Sequence, residues 1–110
     1  MVSRSIPSTS DLASTSALED EALFQQWYHW GEEEANTGHY LQALRCFEEA
    51  AVAQPAEPDA LLYQALCLIH LGQPQRALEL TEQILRDVPH HPQGWLFHGV
   101  ALHRLGRYRQ

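Results

Sequence analysis

The chain has no lysine. All seven of its basic residues are arginines, set against fourteen aspartates and glutamates for a formal net charge of -7. A surplus of that sign repels a phosphate backbone, and no arginines cluster along one helix to offset it, so no nucleic-acid partner is expected. Cysteine is nearly absent as well. Cys46 and Cys67 form no C-x-x-C pair and have no histidine at zinc-finger spacing, which supports neither structural zinc nor a redox motif; two buried thiols are expected instead. Long apolar runs are missing too. The opening MVSRSIPSTSDLASTS lacks the hydrophobic core of a secretory signal, and no stretch approaches the roughly eighteen apolar residues of a membrane span. Cytoplasmic localisation without membrane insertion is the expectation. An arginine-only basic set with abundant Ala and Leu suits a GC-rich bacterial genome.

Chemical signatures are equally scarce. There is no Gly-rich phosphate loop, nucleotide fingerprint or Ser/His/Asp ordering. Seven histidines are present, but His90 and His91 are adjacent in a turn, where side chains diverge, and His98 and His103 are five apart on a helix, where four would share a face. No metal, no cofactor and no enzymatic activity are expected.

What the chain does have is room for one domain of 110 residues and an uneven charge. Residues 1–59 hold eleven acids and two arginines, while residues 60–110 hold three acids and five arginines. The molecule is electrically polarised along its length, which can orient a partner. Residues 1–16, rich in Ser and Thr, are expected to be a disordered tail. Helix is expected from Ala17, because Ser16 and Glu19 have capping-box spacing and Glu19, Asp20 and Glu21 favour the positive end of a helix dipole.

The main signal is a period. Gly38, Gly72 and Gly106 are spaced by 34 residues, and the same step links Pro55 to Pro89, Pro58 to Pro92, Ala43 to Ala77 and Leu44 to Leu78. Gly31, Ala65 and Gly99 keep a small residue in register, and Trp27, Leu61 and Trp95 a large one. Such a period fits a helix, a turn, a second helix and a second turn. The glycines fall where a first helix must stop and the chain needs a left-handed residue. The small residues belong where two helices cross, with Trp27, Trp30, Leu61, Leu68, Trp95 and Leu102 filling the space around the crossings. These marks predict helices at about 17–37, 40–53, 59–71, 74–87 and 92–105.

Trp27, Gly31, Gly38, Tyr40, Ala43, Phe47, Ala50 and Pro55 resemble the signature of the tetratricopeptide repeat family. The resemblance runs through about 24–57 and 58–91 into a partial unit at 92–110, and departs from the pattern at Pro74 and Thr81. It implies an all-α, right-handed superhelical solenoid of antiparallel helix pairs, about two and a half units over residues 17–110. It also implies noncatalytic protein binding, as a scaffold or assembly factor, through a concave groove lined by the first helix of each repeat. By register that groove carries Tyr28, Leu62, Tyr63, Leu66, Ile69, Phe97, Val100 and Arg104, so the expected partner is a protein or peptide with an apolar or amphipathic segment. Family members that clamp the acidic tails of heat-shock chaperones use Lys, Asn and Arg there. Here Tyr28, Glu32, Tyr63 and Val100 hold those places and only Arg104 fits, which argues against that subclass.

Two other readings belong beside this one. The repeats could form the N-terminal regulatory arm of a larger enzyme, such as a glycosyltransferase or methyltransferase, to which the family is often fused. Alternatively, the last helix, 92–105, lacks a hairpin partner and leaves Trp95 and Leu102 poorly covered, which points to a continuing chain or to self-association through that helix.

Overall fold

A computed structural model describes residues 9–106, with side chains from position 16 onward. Five helices follow one another: α1 (Thr9–Asn36), α2 (Tyr40–Ala53), α3 (Pro58–His70), α4 (Pro74–Asp87) and α5 (Pro92–Arg104). The last four coincide with the sequence reading to within a residue. The first does not. Helix α1 begins at Thr9, so residues 9–16, read as tail, are helical, and Ser16 is an interior residue rather than a cap. The segment contains no Gly or Pro that would stop a helix, and Ser and Thr only weakly oppose one. The first eight residues of the expected tail lie outside the described residues.

The three periodic glycines do the same work. Gly38, Gly72 and Gly106 have φ of 81°, 75° and 71°, a region that costs a side-chain-bearing residue energy. The Gly38 amide donates to the Ala35 carbonyl at 3.0 Å and the His39 amide to the Glu34 carbonyl at 2.8 Å. The Gly72 amide donates to Ile69 at 3.1 Å and the Gln73 amide to Leu68 at 2.8 Å, so both helix ends close by the same paired-bond motif. Pro58, Pro74 and Pro92 each sit in a first turn, where the missing N–H is no loss. Glu34, a charged residue at the register of Leu68 and Leu102, has a partner of its own: its carboxylate lies 3.1 Å from His39 Nδ1, across the turn that its own carbonyl closes.

Packing runs from each helix to the next, and first helices also meet one another, α3 with α5 and α1 with α3 through Tyr28 and Tyr63. The radius of gyration is 17.8 Å, well above the roughly 13 Å of a compact chain this long, as an open stack requires. Gly31 is small for the expected reason: a Cβ there would stand 2.8 Å from the Phe47 ring. Ala65, Ala43 and Ala77 are fully buried. Phe47, however, is the main filler at the first crossing, fully buried with Tyr28 edge-on at 5.6 Å and Tyr63 stacked at 5.3 Å. Of the residues expected to fill the crossings, Leu68 is buried and Trp27, Leu61 and Leu102 are half-buried, but Trp30 and Trp95 stay about half exposed. Gly99 departs from its register as well, since a Cβ there would meet nothing within 4 Å.

Thr81, which replaces a large aromatic of the family pattern, is fully buried with its hydroxyl satisfied. The hydroxyl donates to the Leu78 carbonyl at 2.9 Å and lies 3.0 Å from His98 Nδ1. A hydroxyl at this depth is tolerated only because it is paired.

Candidate functional site

Helices α1, α3 and α5 supply the wall expected to bind a partner, and the structure divides its residues into two groups. Tyr28 and Tyr63, half-buried, meet edge to face across α1 and α3 with ring centres 5.6 Å apart. Leu66, one turn beyond Tyr63, and Phe97 and Val100 on α5 are also half-buried, and α3 touches α5 directly. Arg104 is exposed in the last turn of α5. Leu62 and Ile69, by contrast, are only 1% and 5% exposed, and Ile69 belongs to the main core. These two were expected in the groove and are interior residues instead. Helix α3 has a neighbour on more than one side, so part of its apolar stripe is spent on packing. His70, in the last turn of α3, stacks flat on Tyr40 of α2 at 4.1 Å.

Two acids, Glu32 on α1 and Asp59 on α3, act on the Tyr28 end of the wall. Burial raises the Tyr28 phenol well above the ordinary tyrosine range, and Tyr63, Asp59 and Glu32 each push it further. Tyr28 is therefore a neutral hydrogen-bonding phenol at any physiological pH.

The two cysteines are free and buried. Burial pushes the Cys67 thiol up to about 12, with Cys46 adding to the shift, and raises Cys46 chiefly by burial and then through Glu34. Both thiols are therefore poor nucleophiles. Alkylation of the native protein at pH 8, followed by mass spectrometry, is expected to run at least about tenfold slower than that of a free thiol with a pKa near 8.5. Cys46, at 6% exposure, should be modified before fully buried Cys67. Among the described residues no group of three or more His, Cys, Asp or Glu is arranged to hold a metal. No described helix is long and apolar enough to cross a membrane.

A concavity elsewhere in the structure was not foreseen. Between α1 and α2 lies an open cavity of about 480 Å³ bordered by Trp27, Trp30, Glu34, Arg45 and Glu49. The sequence signal that could have found it is the 34-residue step carrying Trp30 onto Gln64 and His98, two residues that each reach back to the preceding helix.

A family model described as anaphase-promoting complex, cyclosome, subunit 3 matches residues 36–110, more than half of the chain. The chain belongs to this family. It is a tetratricopeptide-type repeat family, and the all-helical stack is that of a helical repeat solenoid. Repeats of the tetratricopeptide type serve protein–protein interaction. The match begins at Asn36, so it takes in α2 to α5 and leaves nearly all of α1 ahead of it. No curated protein matches the chain.

Proposed function

We propose that the chain is a noncatalytic binding module that holds a segment of a partner protein against the wall formed by α1, α3 and α5, in the manner of a scaffold or assembly factor. The observation that carries this reading is the set of side chains left half-buried on that wall: Tyr28, Tyr63, Leu66, Phe97 and Val100, with exposed Arg104 at its far end. Apolar and aromatic groups that the fold itself does not finish covering are what an apolar or amphipathic segment needs, and Tyr and Arg are over-represented where binding energy concentrates. The family description names a subunit of a multiprotein assembly, which accords with an assembly role.

A photo-crosslinking residue placed at Leu66 is expected to capture defined proteins in the source cells. The same residue at Val52, which is exposed on α2, should not capture them. For a partner so identified and purified, Leu66→Glu combined with Phe97→Ala should weaken calorimetric binding by at least about tenfold while the thermal unfolding transition persists. Equal capture at the two positions, or unchanged affinity in the folded double variant, would overturn the groove assignment.

A further inference from the structure

One register position reaches back to the preceding helix twice. The Gln64 side-chain amide on α3 donates to the Phe47 carbonyl on α2 at 3.3 Å. One repeat later His98 Nδ1 on α5 lies 3.0 Å from Thr81 Oγ1 on α4. In each case the reach is 17 residues back, from the first helix of a repeat to the second helix of the repeat before. The third member of the register is Trp30. Seventeen residues back from Trp30 is position 13, which lies in α1 itself. A straight helix cannot fold back on its own side, so residues 9–23 do not supply the neighbour that α2 and α4 supply further on.

The cavities repeat the pattern. Between α3 and α4 a space of about 250 Å³ is bordered by Gln64, Leu68, Glu79 and Gln83, and α2 runs beside it and contributes Glu48. The positions one repeat earlier are Trp30, Glu34, Arg45 and Glu49, and they border the larger space of about 480 Å³ between α1 and α2.

We propose that this leading face of the first hairpin seats an amphipathic helix from another protein, in the place that α2 takes on α3 beside the α3–α4 space, and that the helix is basic along its polar edge. The seat for its apolar side is the pair Trp27 and Trp30, whose rings lie parallel within 6° at 5.4 Å, with Trp30 49% exposed. Trp30 holds the register position from which Gln64 donates, and its indole N–H is a donor that an acceptor on the visiting helix can meet. Charge sets the polar edge. Glu34, Glu48 and Glu49 border the cavity against a single arginine, Arg45, and α1 from residue 16 onward carries six acids and no Lys or Arg. The Glu34 carboxylate is already engaged by His39, which leaves exposed Glu48 and Glu49 to meet cations of the partner.

The probe is a synthetic peptide with the sequence of Pro74–Val88, the segment that packs on α5, carrying Glu79→Lys and Glu82→Lys. Calorimetric titration into the full chain is expected to show saturable binding. Trp30→Ala and Glu49→Lys should each weaken it about tenfold, and Leu66→Glu on the other wall should leave it unchanged. Trp30 is half exposed, so its removal should leave the circular dichroism melting curve in place. Absence of saturable binding up to about 1 mM, or equal binding by a folded Trp30→Ala variant, would overturn the proposal. Sedimentation provides the remaining arm: a dimer that Trp30→Ala dissociates would assign the seat to a second copy of this chain and overturn the foreign helix.

Discussion

Phe47→Ala is expected to remove about 3–5 kcal/mol of folding stability, a large share of the roughly 5–15 kcal/mol available to a small domain. The ring is fully buried and fills a notch that exists only because position 31 is glycine. It also bears on Tyr28 and Tyr63, so its loss leaves a void shared by α1, α2 and α3 that none of them can close alone. The cost should then sit near the upper part of the range, where collapse around the missing side chain is incomplete. Urea titration followed by far-ultraviolet circular dichroism should show a midpoint lower by about 2 M or more, or no folded baseline at all. A loss below about 1 kcal/mol would mean that the first crossing does not depend on this ring.

The second large effect separates core from groove on a single helix. Leu62→Ala should cost about 2–5 kcal/mol, because a side chain only 1% exposed is cut back in a packed interior. Leu66→Ala, at a half-buried position one turn on, should cost about 1 kcal/mol and act instead on partner affinity. The same urea titration measures both. If the two costs were equal, or if Leu62→Ala weakened partner binding without lowering stability, the division of the α3 stripe described above would be wrong.

The period of 34 residues made the hairpins legible because its marks answer to backbone sterics. A left-handed residue at a helix end is cheap only as glycine, so Gly38, Gly72 and Gly106 locate three turns without reference to packing. Two other features were not legible, for different reasons. A Ser16–Glu19 capping pattern points to a start of α1 at Ala17, but that spacing also occurs inside helices, and nothing in DLASTSALED forbids an earlier start. The groove could not be separated from the core along Leu62, Leu66 and Ile69. All three are aliphatic and share a face at helical spacing, so only the direction of the neighbouring hairpins decides which of them water can reach. Trp30 is ambiguous in the sequence on similar grounds. Its size suggested an interior role, whereas the helix that would have covered it is the one that the straight course of α1 leaves out.

The contact order of the helices has one more consequence. Because α1 leans on α2, α2 on α3, α3 on α4 and α4 on α5, with the Tyr28–Tyr63 meeting of α1 and α3 and the α3–α5 contact added out of turn, the fold has no keystone. Its cooperativity resembles that of a short row of coupled links, in which damage at one link is felt strongly next door and fades further along. The aromatic cluster around Phe24, Ala50 and Ala60 can therefore stay intact while α5 frays, and the two ends can be tuned almost separately. In such a row a ligand at either end stiffens its own neighbourhood first, so occupancy of one end is read at the other only as strongly as the intervening links are tight.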